Sequence, residues 1–291
     1  MNVDVFLRAE AEVAESPVWD TSRECLWWVD LVKGELHRTD LQGTDAVTAS
    51  LGESLGCVAL SEGENLVAAT ATSLGTIDPI TGTFSPKLAI ETDRTGYRAN
   101  DGKCDPRGRL WLGTMSDNRW ERARWYCLSP GWRLRQWKDD WEVPNGLCWS
   151  PDGRTLYLVD SGRRLIEIWS YDPDEGEPRE LVKTVDLSRG YSGRPDGMTV
   201  DAQGCLWVAL WGGGSFCRLR PDGRLDGSFP LPVSLVASCE FGGPNLQQLF
   251  VTTARYRLST EQLANEPLAG SVFVCQPGPT GLPATHFAAP D

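Results

Sequence analysis

Glu15, Asn100, Asn145 and Asp196 are the side chains of this 291-residue chain whose types and spacing could do chemistry together. Glu15 precedes Leu26 by 11 residues, Asn100 precedes Leu110 by 10, Asn145 precedes Leu156 by 11 and Asp196 precedes Leu206 by 10. Each of these leucines opens an apolar run, and further runs open at Leu66 and Leu249, so that six openings follow at intervals of 40 to 50 residues. Residues in register around a circular repeat point at one another. Two carboxylates and two amide oxygens brought to one axis resist joint ionisation, and a divalent cation removes the conflict. A single Asn-Gly or Asp-Gly is more often a turn than a ligand; three such sites at one offset, with Glu15 in matching register, favour a shared site. An all-oxygen donor set favours Ca2+, Mg2+ or Mn2+ over Zn2+, which usually recruits His or Cys.

The elements that must hold these residues are short strands. Turn signals precede the openings at Asp105-Pro106-Arg107-Gly108, Ser150-Pro151-Asp152-Gly153 and Asp201-Ala202-Gln203-Gly204, and a second set follows at Asp78-Pro79, Asp172-Pro173 and Pro221-Asp222-Gly223. Strand, turn, strand without an intervening helical pattern, repeated six times, predicts an all-β, six-bladed β-propeller with a metal site in its central channel. The expectation is one domain over residues 1–291, with the candidate residues in the loop leading into each innermost strand and the following glycines bending the backbone. A propeller must close its ring. Val3-Asp4-Val5-Phe6-Leu7 is expected to complete the blade formed by Ser271 to Phe287, and residues 259–266 read as a helical or looped insertion.

A net charge of −12 opposes nucleic-acid binding, which needs a basic face. No segment approaches the roughly 18 apolar residues of a membrane span, and the N-terminus lacks a signal-peptide pattern. The nine cysteines are odd in number, form no Cys-x-x-Cys pair and mostly sit in apolar runs, as buried thiols do in a reducing compartment. Together these predict a cytoplasmic protein without membrane or nucleic-acid partners, monomeric or weakly homo-oligomeric. His37 and His286 fall outside the register and read as structural or surface residues. Trp211 reads as an inter-blade packing residue rather than a wall for a ligand.

The segments AESPVWD (14–20), YRANDGKCDPRGRLWLGTM (97–115), VPNGLCWSPDGRTLYLVDS (143–161), RPDGMTVDAQGCLWVALWGG (194–213) and SCEFGGPNLQQLFVTTAR (238–255) resemble the senescence-marker-protein, regucalcin and gluconolactonase family over essentially the whole chain. Within it they look nearest to bacterial sugar-acid lactonases of pentose and hexose oxidation. The resemblance implies a six-bladed propeller with one divalent metal, bound through Glu15, Asn145 and Asp196. It implies substrate contacts from Arg98 and Asn100, and a further one from Asp117 or Asn118. Family members active with Zn2+ or Fe2+ keep those ions among the candidates beside Ca2+, Mn2+ and Mg2+. Two departures stand out: Ser16, where the family usually has Gly, and Arg194, where an aromatic or aliphatic residue is common.

The implied activity is metal-dependent hydrolysis of sugar lactones, the aldonolactones of pentoses or hexoses, to aldonic acids, with Asp196 as candidate general base. Two rivals come with it. An organophosphate or aryl-ester hydrolase of related propeller type predicts a more apolar channel than Arg98 and Asn100 suggest. A calcium-binding regulatory protein, or a non-catalytic scaffold, leaves those two residues without a task.

Overall fold

The structure is a computed structural model that describes residues 1–117 and 121–288. Six four-stranded antiparallel sheets follow one another along the chain, which is the six-bladed β-propeller expected. The apolar runs opened by these leucines are the second strands of their blades: Cys25–Asp30, Leu66–Thr70, Leu110–Ser116, Thr155–Asp160, Leu206–Trp211 and Gln248–Thr253. Sheets cover both faces of these strands, and they are almost wholly buried, so they read as unbroken apolar runs rather than alternating ones. Trp27, Trp28, Trp111, Trp125, Trp141 and Trp207 lose essentially all contact with solvent between the blades.

Inside them lie the innermost strands Ala14–Asp20, Leu55–Ala59, Tyr97–Cys104, Pro144–Trp149, Arg194–Val200 and Val236–Gly242, each packed against the next around a closed ring. The candidate residues belong to these strands, near their N-terminal ends, and not to the loops leading into them. All six innermost strands slip register against their neighbours at this level: between Glu15 and Val18, Leu55 and Cys57, Ala99 and Asp101, Pro144 and Leu147, Pro195 and Met198, and Val236 and Ser238. A bulge releases a residue from the ladder and re-aims its side chain. Asn100, Asn145 and Asp196 are the residues so released, and Glu15 stands immediately before its bulge. In the two remaining blades the released residues are Gly56 and Ala237, which carry no donor.

The glycines after the candidate residues have a different task from the bending expected of them. Gly146 and Gly197 have ordinary negative φ, but a Cβ on Gly146 would collide with the Asp196 carbonyl oxygen, and one on Gly197 with Ser238. They are small so that adjacent innermost strands can approach. Left-handed backbone occurs instead at Ser16, with φ of 48°, which explains why glycine suits that position. Ser16 compensates with its hydroxyl, which accepts the Val58 N–H at 3.0 Å and ties the first blade to the second.

Val3–Leu7 pairs antiparallel with Val272–Cys275, so the N-terminal strand completes the last blade and closes the ring. The partner strand is shorter than expected because Pro277, Pro279 and Pro283 lack the N–H a ladder needs. Residues 276–288 cross the face at the C-terminal ends of the innermost strands instead. Hydrogen bonds from Ala202 to Thr280, Gly281 to Leu246, Phe287 to Leu60 and Ala288 to Gly108 fasten this strap. The insertion is a short helix, Thr260–Asn265, started by a capping box between Ser259 and Gln262.

All nine cysteines are buried and unpaired. His37 stacks on Trp28 and bonds Asp45 at 2.7 Å, while His286 bonds the Ser61 carbonyl; both are structural. Trp211 packs against the cluster containing Leu235. Among the described residues no helix is long and apolar enough to cross a membrane.

Candidate functional site in the central channel

Two aspartates at the ends of second strands aim the first and fourth innermost strands. Asp30 accepts the N–H groups of Glu12 and Val13, just ahead of Glu15, and Asp160 accepts those of Glu142 and Val143, just ahead of Asn145. The repeated Val-Asp endings of LWWVD and LYLVD carry that signal, which spacing alone did not single out.

Glu15, Asn145 and Asp196 gather at the channel, each between 5% and 7% exposed. Asn145 Nδ2 donates to Asp196 Oδ1 and, at 3.1 Å, to Ser161 Oγ. Glu15 Oε2 is buried without any hydrogen-bond partner. Burial and then the charges of Asp196 and Asp101 push the Glu15 carboxyl well above the usual carboxylate range. Burial and the Asp101 charge do the same to Asp196, against the opposing pull of Arg98 and Asn145. Among the described residues no three His, Cys, Asp or Glu side chains cluster as a metal site by themselves. The donor set here is two carboxylates and an amide.

Arg98 lies half-buried beside this group. Its Nη1 donates to Asn100 Oδ1 and to the Ala99 carbonyl, both at 2.9 Å, and its Nη2 lies 2.9 Å from Met115 Sδ. Burial pulls its pKa down from the ordinary value, with the carboxylates of Asp117, Glu15 and Asp196 opposing. Asn100 donates through Nδ2 to the Pro144 carbonyl at 2.8 Å. With its oxygen engaged by Arg98, Asn100 orients the arginine and links the third blade to the fourth, rather than standing as the fourth oxygen of the Glu15 group. Asp117 lies at the rim with its carboxylate 3.9 Å from Arg98 Nε. Asn118 falls outside the described residues.

One layer deeper, Lys103 Nζ bonds Glu240 Oε2 at 2.8 Å and the Met198 carbonyl at 3.2 Å, and Thr199 Oγ1 donates to Glu240 Oε1. Asp101, between the layers, is pushed up to about 6 by burial, although Lys103 and the Gly102 N–H act the other way. Below this pair the channel opens into a cavity of about 260 Å³ whose lining includes Leu282–Thr285 of the strap. Glu240 was not among the sequence candidates; it lies nine residues before Leu249, in a register that only the structure makes meaningful.

A propeller whose released innermost-strand residues supply buried oxygen donors, with a cationic side chain beside them, defines the class of protein. The chain belongs to the family described as SMP-30/Gluconolactonase/LRE-like region, which it matches over residues 13–255. It is 34% identical over 286 residues to 6-deoxy-6-sulfogluconolactonase of Pseudomonas putida, covering 97% of each chain. It is 32% identical over 294 residues to regucalcin of Danio rerio, covering 99% of this chain and 98% of that one. A solved structure described as a calcium-binding protein, regucalcin, from Agrobacterium tumefaciens superposes with a TM-score of 0.92 at 28% identity, over 98% of this chain and 97% of that one.

Proposed function

We propose that the protein hydrolyses sugar lactones, using one divalent cation held by Glu15, Asn145 and Asp196. The observation that carries this reading is a buried carboxylate oxygen, Glu15 Oε2, left without a partner between groups that repel it. The residues fit such a cation: hard oxygen donors, excess negative charge and no imidazole or thiol. When bound, the cation would polarise the lactone carbonyl and lower the pKa of water.

The chain's own residues do the rest. Arg98, held in place by Asn100 and the Ala99 carbonyl, presents fixed N–H donors to ring hydroxyls or to negative charge growing on the substrate oxygen. Asp196 engages Asn145 through Oδ1, and its other oxygen is the candidate proton acceptor. Asp117, at the rim beside Arg98, would contact the polyol end of a substrate held by Arg98.

Arg98→Ala and Asn100→Ala are expected to keep the cation and lose turnover. Removing one charged hydrogen bond costs about 1.5 to 3 kcal/mol, or roughly 10- to 150-fold in rate. Rates within about twofold of wild type would remove both residues from the substrate site.

The reading as a whole is tested with gluconolactone, xylonolactone, arabinolactone, galactonolactone and a 6-sulfonated gluconolactone, the last because of the name of the Pseudomonas putida relative. Acid release is followed in weak buffer after subtracting the spontaneous rate. Acceleration that a chelator abolishes and a divalent cation restores is expected. Calcium binding with no acceleration of any lactone favours a calcium-binding protein, the reading suggested by the description of the Agrobacterium tumefaciens structure. Acceleration of a phosphotriester or an aryl ester alone favours the other hydrolase reading.

A further inference from the structure

Asn145 can serve a cation only through Oδ1, because its Nδ2 carries two protons. We propose that Ser161 is the positioning residue that fixes this orientation, an inference that rests on the cation site assigned above. A hydroxyl donates one proton and accepts through its lone pairs. Ser161 Oγ lies 2.6 Å from the Pro195 carbonyl oxygen, an atom that can only accept, so the hydroxyl proton is committed there. What Oγ offers to Asn145, 3.1 Å away, is a lone pair, and the atom facing it has to be Nδ2. The second Nδ2 proton goes to Asp196 Oδ1. Both amide protons are thereby consumed between the fourth and fifth blades, and Oδ1 is turned away from them.

Ser161 is itself held firmly. Its N–H donates to the Val143 carbonyl at 3.0 Å, and its own carbonyl accepts from Arg194 Nη1 at 3.0 Å, which also bonds the Gly162 carbonyl. This gives Arg194, one of the two departures noted in the sequence, a definite task in bracing the turn that carries Ser161. The first blade supplies the contrast. Leu31 occupies the position of Ser161 there, bonding the Val13 carbonyl at 2.9 Å, and the donor it accompanies is Glu15. The two oxygens of a carboxylate are equivalent and need no such selection, so an apolar side chain suffices. The hydroxyl appears beside the ligand that has a wrong way to face.

The test is calcium binding by titration calorimetry on the full-length protein, which does not depend on turnover. Ser161→Ala is expected to weaken binding by about 10-fold or more, as loss of an outer hydrogen bond to a metal ligand does, while the circular dichroism of the calcium-free protein is kept. Ser161→Thr, which retains the hydroxyl, stays within about threefold of wild type. Ser161→Cys fills the same space with a group that hydrogen-bonds weakly, and it should behave like the alanine variant; it serves if alanine prevents folding. The decisive comparison is made on an Asn145→Asp background, where the ligand has no nitrogen to misplace and Ser161→Ala should cause no loss. Unchanged calcium affinity in Ser161→Ala, or an equal loss on both backgrounds, would overturn the proposal. A wild-type protein that binds no divalent cation overturns the site and this inference with it, whereas one that binds calcium but opens no lactone overturns only the lactonase reading.

Discussion

Glu15→Gln and Asp196→Asn are expected to lose the cation and activity together while the propeller stays folded. Each substitution preserves side-chain volume and removes one negative charge from the pair that would hold the ion. The expected fall in kcat/KM is at least about 100-fold, the scale seen when one electrostatic element of a preorganised site is removed. Without cation, Glu15→Gln should be no less stable than wild type. Glu15 Oε2 makes no hydrogen bond in the structure, and burial next to Asp196 and Asp101 already disfavours its charge. Replacing a buried and repelled carboxylate, one of whose oxygens has no partner, by a neutral amide removes a strain rather than a support. Metal content measured on the purified variants, with Tm in excess chelator, checks both halves. Wild-type cation content in both variants would show that the ion, if there is one, sits elsewhere.

The blade count was legible because each blade repeats one environment. A second strand buried on both faces favours Leu at or near its start, followed by an aromatic in five of the six blades, and the six leucines fall at nearly even intervals. The register of Glu15, Asn100, Asn145 and Asp196 was legible for the same reason, but their setting was not. Bulges leave no composition of their own, so residues flanked by Gly and Pro read as loop although they lie inside strands. The glycines after them were misread because a glycine needed for left-handed backbone and one needed for close approach look alike in sequence. Asn100 and Asn145 share a type and an offset, yet Arg98 engages the oxygen of one and Ser161 the nitrogen of the other. Those partners lie on separate segments, and only the closed ring sets Ser161 beside Pro195, or Lys103 beside Glu240.

Without the cation, the stability of the protein is expected to fall as pH rises from about 5 to about 8, and the divalent cation should reverse that slope. The sign follows from the carboxyls of the channel. Asp101 is pushed up from 3.8 to about 6, and Glu15 and Asp196 are also raised, all three chiefly by burial. Above the ordinary carboxylate range the unfolded chain has released these protons while the folded chain still holds them. Their contribution is complete below the unfolded values and is lost as pH rises through the folded ones. Asp20 works in the opposite sense: against the effect of burial, hydrogen bonds from Ser22 and Arg23 hold it down to about 2, so its change is finished well below pH 5. A cation competes with the same protons, so its affinity rises as they leave. At about 100 times its Kd it adds about 2.7 kcal/mol to stability, a gain that grows with pH as Kd falls. Tm in chelator and Tm in excess calcium, measured across this range, should diverge as pH increases. Glu15→Gln should lessen the slope of the chelator profile and remove the divergence, leaving the Asp101 and Asp196 shares of the slope. Profiles that stay parallel in wild type would mean that the channel carboxyls and the cation do not meet.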